Sequence, residues 1–431
     1  MNRIINLTTL STSLLILGCG GGTNTPSNTE PTVNQETSIS VEDNTTQVSI
    51  PDEHTTPNIT LGAREVIATP LDQGTIFIAN NGTGEACSLT LPCNLEEGIK
   101  RSQAGDTVFL KGGIYHLSSL LTKSKNPEKK LTLKSGEREN PVLYESYPNE
   151  LAIFDGTGLE EDEYGSIIVF NNTHLRRIAV TNMKKSAIII RGNHNLLEGV
   201  ESHHNHNVGI HIYNRTETEP NDIRSSYNTI TDCIVHHNSD ANTQYQGGNA
   251  DGISISYGMN NIIRHNTVYS NSDDGIDTWR SINTLIEYSI SYDNGKGEKG
   301  NGKGFKLGGD RDPNSLLGTG VTARFNLAFN NKSSGYDDNS AKHLTLTNNT
   351  AYHNGGYGFV VFDQESSLVN NISYKNTQGE VYQSDTPQTN NSWQIEEVSD
   401  NDFISLDTLS QNFLYPKENS ELFSIGAYGS L

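Results

Sequence analysis

From Thr75 onward, apolar and polar residues alternate in short runs separated by glycine and asparagine. Four runs share one texture: NTITDCIVHHN from Asn228, NIIRHNTVYSN from Asn261, NTLIEYSISYDN from Asn283 and SLVNNISYKN from Ser367. Each closes on an asparagine (Asn238, Asn271, Asn294, Asn376), after which a glycine opens another apolar segment. Those glycines, Gly209, Gly252, Gly275, Gly304, Gly335 and Gly358, recur at intervals of 43, 23, 29, 31 and 23 residues. Alternation with a period of two predicts strands. A repeat of about 22 residues with insertions predicts three short strands and their turns per coil of a parallel β-helix. Asparagine at the turns tolerates a left-handed backbone and can hydrogen-bond to the next coil. A propeller or sandwich would need two-residue hairpin turns, and few are visible. The expected class is all-β, with the β-helix over 70–385 and an extension over 386–431 packing on it. At the start of the repeat region the pattern reads strand, polar loop, short amphipathic helix, strand. Such a helix caps the open end of a solenoid, where bare strand edges invite aggregation.

The repeat allows positions to be stacked. After each glycine the first and third residues face the core, as with Ile253 and Ile255, Ile276, or Phe305 and Leu307, and the second faces out. The outward column runs His211, Ser254, Asp277, Lys306, Asp337, Val360. The column before the glycine runs Val208, Asp251, Asp274, Lys303, Ser334, Tyr357. With coils ~4.8 Å apart, Asp251 neighbours Asp274, Asp273 and Asp277 share the latter's coil, and Lys306 follows one coil on. Four carboxylates on one face cannot all stay ionised without a cation between them. Hard oxygen donors in an irregular cluster suit calcium better than zinc. The alternative is a set of turn aspartates that cap backbone amides and face water. Lys306 projects beside that expected cation and near Lys303 and Arg311, all favouring its neutral form and a role as general base. His203, His204, His206 and His211 occupy outward or turn positions, as cleft lining or as solvated residues. Asp337 and Asp338 are expected to extend the cleft or hold a second calcium.

Composition changes this picture in two ways. Hydrophobic residues make up only 33% of the chain, so the core depends on regular placement of few apolar side chains. The formal net charge of −21 argues against nucleic acid as a partner. It also opposes a polyanionic substrate, unless a bound cation and a local patch of Lys296, Lys299, Lys303, Lys306, Arg280 and Arg311 reverse the sign. The first residues, Met1 to Leu17, have a short positive start and an apolar core too short to span a bilayer. The run Ile16-Leu17-Gly18-Cys19 resembles a bacterial lipobox, which implies cleavage after residue 18, acylation of Cys19 and anchoring to the outer membrane; an ordinary secretory signal is the alternative. Either way the protein is expected to be exported. Residues 19–69 are rich in Thr, Ser, Asn and Pro and read as a flexible tether. In an oxidising compartment a Cys87–Cys93 disulfide is expected, and Cys233 reads as a small core residue.

The segments NADGIS, NSDDGIDTW, GNGKGFKLGG, GYDDN and NNTAYHNGGYGF together resemble the family-nine polysaccharide lyases, whose members include pectate lyases. The resemblance implies a right-handed parallel β-helix. It implies a calcium site of Asp251, Asp273, Asp274 and Asp277, and Lys306 as the catalytic base. Arg280, Lys303 and Arg311 are the expected substrate contacts, with an acidic polysaccharide as partner and the chain acting as a monomer. The implied reaction is β-elimination: Lys306 removes the C5 proton of a uronate, and the C4 glycosidic oxygen departs. Two rival readings remain. An inverting glycoside hydrolase of the polygalacturonase type would use the same acid pair, although no histidine lies between Asp277 and Lys306. A non-catalytic carbohydrate-binding β-helix would use groove aromatics such as Tyr257, Trp279 and Tyr336.

Overall fold

Each repeat folds into one coil of three short strands, and like strands of successive coils pair in parallel. The structure, a computed structural model, describes residues 75–213, 225–310, 312, 315–382, 385–395 and 397–429. The expected signal peptide over 1–18, Cys19, the tether over 19–69 and Arg311 lie outside those residues. Sheet A has 12 strands, from Thr75–Ile78 to Gln388–Thr389. Sheet B has 10, from Gly113–His116 to Ile372–Tyr374, and sheet C has 10, from Leu131–Thr132 to Gly379–Val381. Crossovers that join parallel strands in this way are right-handed.

The interior is built from stacked columns. In sheet C, Ile188, Ile210, Ile253, Ile276, Phe305, Tyr336 and Phe359 pair in register, and all are fully buried. Burying one such isoleucine stabilises the fold by about 1.5–3 kcal/mol. The three rings at the end of the column stack at 4.8 and 4.7 Å. Tyr336 is therefore a core residue and not a groove aromatic. As the first residue after Gly335, it obeys the same alternation that turns Phe305 inward.

Three amide ladders tie the coils together at their corners. Between sheets B and C the chain Asn205, Asn238, Asn271, Asn294, Asn331, Asn354, Asn376 passes a side-chain bond from each Nδ2 to the next Oδ1 at 2.9–3.0 Å. The left-handed backbone sits one residue earlier. His204, His237, Ser270, Asp293, Asn330, His353 and Lys375 all have φ between 52 and 57°. That conformation costs a non-glycine residue of order 1 kcal/mol, which the ladder bonds offset. Sequence reasoning placed the unusual backbone on the asparagine itself; the structure separates the two tasks.

The repeat glycines are explained by close approach. A Cβ on Gly252 would collide with Val268 Cγ1 and the Gly275 carbonyl. Ahead of the first coils, the helix Leu95–Arg101 is capped by Asn94, whose Oδ1 accepts from Glu97 N–H at 2.9 Å, and it buries Leu95, Gly98 and Ile99. Cys87 and Cys93 are disulfide-bonded. At the other end Phe403, Phe413, Leu414, Leu422, Ile425 and Ala427 form a second apolar cluster with Tyr269, Tyr292, Leu327, Phe329 and Ile372 on the outer face of sheet B. Sheet C is left free of that cover.

Candidate functional site

Sheet C carries the outward column in the expected register: His211 pairs with Ser254, Ser254 with Asp277, Asp277 with Lys306, Lys306 with Asp337, and Asp337 with Val360. Carboxylate oxygens of Asp251, Asp273 and Asp274 lie within 4.8 Å of one another, and all three residues are buried. Each is aimed by a backbone donor. Asp251 Oδ1 accepts from Asp274 N–H at 3.2 Å, Asp273 Oδ1 from Asn301 N–H at 2.6 Å, and Asp274 Oδ1 from Lys303 N–H at 2.7 Å. The loop that supplies the last two donors is fastened by Lys332, whose Nζ donates to the Gly297 and Gly300 carbonyls at 3.0 and 2.9 Å.

The fourth aspartate meets the lysine. Lys306 Nζ is 2.9 Å from Asp277 Oδ2 and 3.0 Å from Asp274 Oδ2. Asp274 Oδ2 takes that ammonium as an ion pair without hydrogen-bond geometry, and the buried Asp277 Oδ1 has no hydrogen-bond partner among the described residues. Burial and the neighbouring Asp277, Asp273 and Asp274 hold the Asp251 carboxyl well above the usual carboxylate range. Burial and Asp274 push Asp273 up to about 7, and burial also raises Asp277. These shifts express unmet negative charge in a dry place. For Lys306, burial alone would lower the pKa, but Asp277, Asp274 and Asp251 outweigh it and raise it.

In this geometry Lys306 is a proton-holding cation clamped between two carboxylates, and Lys303, expected to depress its pKa, turns to a partner of its own. Lys303 Nζ pairs with Asp337 Oδ2 at 2.9 Å, and Lys296 pairs with Asp293 at 2.5 Å. Arg280 donates from Nη1 to Tyr257 Oη at 2.9 Å, lies over the Trp279 ring at 4.8 Å, and approaches Asp310 at 3.8 Å. The basic patch is thus largely paired.

Other expected contributors sort by element. His203 and His204 lie at the end of a sheet B strand, where they stack on His236 and His237. Only His211 of that group stands in the outward column; burial pushes it down to about 4, and its Nε2 lies 3.0 Å from Ser256 Oγ. Asp337 also accepts from Asn339 N–H, and Asp338 accepts from the Ser340 and Phe362 amides, so both are engaged in turns. Sequence reasoning overlooked Asp240. This buried carboxylate contacts Ser272 Oγ at 3.3 Å and braces the coil that carries Asp273. Its signal was present in the repeated Asn-Ser-Asp at 238–240 and 271–273. Gly309 was overlooked as well: any side chain there would strike the Trp279 indole.

The donor set fits a hard divalent cation. It offers several carboxylate oxygens, no nitrogen or sulfur, and at least one buried oxygen without a hydrogen-bond donor. A family model described as "Pel9A-like, right handed beta helix region" matches residues 76–391. The chain belongs to this Pel9A-like right-handed β-helix family. Among curated relatives, Pectate lyase L of Dickeya chrysanthemi is 30% identical over 354 residues, covering 77% of this chain and 78% of that protein. Pectate lyase L of Paenibacillus polymyxa is 25% identical over 344 residues, covering 76% of this chain and 73% of that protein. The solved structure of pectate lyase Pel9A superposes with a TM-score of 0.69 at 26% identity, covering 82% of this chain and 92% of that one. A rhamnogalacturonan lyase, at 22% identity and a TM-score of 0.70, shares the fold. The Pel9A-like match spans every strand from Ile76 to the last coil, and so includes the aspartate cluster and Lys306.

Proposed function

We propose that this chain is a polysaccharide lyase that cleaves uronate-containing polysaccharide, pectate above all, by β-elimination with calcium. The observation that carries the reading is the column itself: a lysine in register with Asp277 and ion-paired to both Asp277 and Asp274 of the buried Asp251, Asp273 and Asp274 cluster, on the sheet of a Pel9A-like helix that the carboxy-terminal segment leaves free. Asp251, Asp273, Asp274 and Asp277 would hold the cation. Bound there, it would supply positive charge that draws electron density from the uronate carboxylate and relieves Lys306 of its carboxylate partners.

The chain's own residues do the rest. With its carboxylate partners engaged by the cation, Lys306 would release its own proton to solvent and, as the neutral amine, accept the C5 proton of the sugar; the C4–O bond breaks as the C4=C5 double bond forms, and water protonates the departing oxygen. Sheet C presents that amine from a strand, not from a loop, which limits its motion. The backbone donors at Asn301 and Lys303 keep two carboxylates oriented as substrate arrives. Hydrolysis by an inverting acid pair needs carboxyl groups about 6.5–9.5 Å apart to admit a water. Asp251, Asp273 and Asp274 are too closely packed for that.

The test is incubation with polygalacturonate, following ultraviolet absorbance of the unsaturated product with calcium, with chelator, and in Lys306→Ala. Saturated reducing ends without absorbance would establish hydrolysis instead. The apolar run ahead of Cys19 supports export, and the lipobox-like tetrapeptide supports a lipid anchor. Mass spectrometry of the amino-terminal peptide from membranes tests this, since an unmodified thiol at Cys19 rules the anchor out.

A further inference from the structure

We infer that Phe362 and Tyr382 form a sugar-stacking subsite at the far end of the groove that begins at Lys306. The outward column does not stop at Val360. Gly379 pairs with Tyr357 and Val381 with Phe359, and Tyr382 N–H donates to the Phe359 carbonyl at 2.8 Å, which sets Tyr382 beside Val360. Asp277, Lys306, Asp337, Val360 and Tyr382 are thus successive members of one file, and Tyr382 stands three coils, roughly 14 Å, beyond the lysine.

The aromatic groups there are arranged and open. Phe362 lies 5.0 Å from Tyr382 at 60°, and Tyr357 braces Tyr382 edge-on at 5.4 Å and 86°. Yet Phe362 remains 56% exposed and Tyr382 39% exposed. Most other rings in the helix are stacked into the core or beneath the carboxy-terminal segment. Exposed, mutually braced aromatics are the usual sign of a ligand surface.

Their position names the occupant. The file beyond Lys306 carries Asp337, already paired with Lys303, then Val360 and Tyr382, and no cationic side chain among its described members. A sugar carboxylate gains nothing there, but the apolar C–H face of a pyranose ring does. A chain laid along sheet C with one uronate at Lys306 reaches the aromatic pair a few residues later. This inference rests on the lyase reading for its occupant.

The experiment compares wild type with the Phe362→Ala/Tyr382→Ala protein on long polygalacturonate and on short oligogalacturonides in calcium. One lost stacking contact lowers the advantage of long over short chains in kcat/KM by about tenfold, through KM and not kcat. Isothermal titration of the same pair of substitutions in a Lys306→Ala background reads the same preference without turnover. An unchanged length preference, or an equal loss on both lengths, overturns the subsite. A wild type that yields no unsaturated product sinks the lyase reading instead, and titration with the oligogalacturonides then decides the subsite separately. Both side chains are exposed, so the unfolding midpoint is expected to stay at the wild-type value.

Discussion

Replacing Lys306 with alanine separates two roles that the geometry joins, holding charge balance and moving a proton. The Nζ lies 3.0 and 2.9 Å from Asp274 and Asp277, and the three side chains are 14%, 0% and 7% exposed. At an effective dielectric of about 20, each contact is worth about 5 kcal/mol before desolvation. Breaking a buried pair by removing one partner typically costs about 3–5 kcal/mol, because the remaining charge is left uncompensated. In chelator at pH 8, Lys306→Ala is therefore expected to unfold at lower urea, by a loss of that order. Calcium should then behave in a way that a simple loss of function does not explain. In wild type the cation competes with the ammonium for Asp274 and Asp277 oxygens; in the variant it does not. The inactive protein should bind calcium at least about tenfold more tightly. At a hundredfold excess over the dissociation constant, calcium should return about 2.7 kcal/mol of stability. Urea unfolding with and without calcium, together with calorimetric titration, measures both quantities. A variant as stable as wild type in chelator, or one that binds calcium more weakly, would show that Lys306 does not hold the place of a cation.

Three further expectations concern charge, acid and the ladder. Asp251→Asn keeps an acceptor for the Asp274 amide but removes one buried charge. It should weaken calcium binding by about 100-fold (about 2.7 kcal/mol) and leave the chelated protein no less stable, as titration and unfolding will report. Burial pushes His174, His203 and His211 down to about 4. Because these folded values lie below the ordinary ~6.5, their stabilisation is complete above pH ~6.5 and is lost as pH falls toward ~4, at about 1.4 kcal/mol per unit for each group. The raised Asp251, Asp273 and Asp277 carboxyls act in the opposite sense over the same window, so the check is a difference: between pH 7 and 4.5 the urea midpoint of His211→Asn should move differently from wild type by one group's share, and an identical pH dependence would refute this. Asn294→Ala removes the ladder bond to Asn331, leaves the Asn271 backbone amide without its acceptor and leaves Asn271 Nδ2 with only the 3.4 Å bond to the Val235 carbonyl. The expected loss is about 2–4 kcal/mol, read as a lower urea midpoint.

The fold was legible because a solenoid repeats its grammar. Alternation assigned the inward residues, and the glycine interval assigned the coil, so the file from His211 to Val360 could be written before any coordinates. The location of the aspartate cluster followed from the same register. What the sequence did not disclose was pairing among long side chains. Lys303 and Lys306 stand in adjacent columns, yet one turns to Asp337 and the other to Asp274 and Asp277. Register fixes where a Cβ sits, but four further rotatable bonds decide where an ammonium ends. The placement of φ was hidden for a related reason: along the ladder between sheets B and C the left-handed positions are occupied by His, Ser, Asp, Asn and Lys, a mixture with no single composition signal. Tyr336 was misread although register was sufficient to place it, since aromatic character was weighed above position.

The amide ladders have a consequence for how such an enzyme can change its substrate. From Asn195 onward the ladders lock coil to coil at fixed pitch, so distance along this part of sheet C is quantised. The span from Lys306 to the rings at its end can lengthen or shorten only by a whole coil. Loops between strands can vary freely, as the unequal glycine intervals show, without moving either end of that span. The helix thus works as a ruler whose graduations are set by asparagine. A change in preferred chain length would require gaining or losing a repeat, or relocating an aromatic from one graduation to the next.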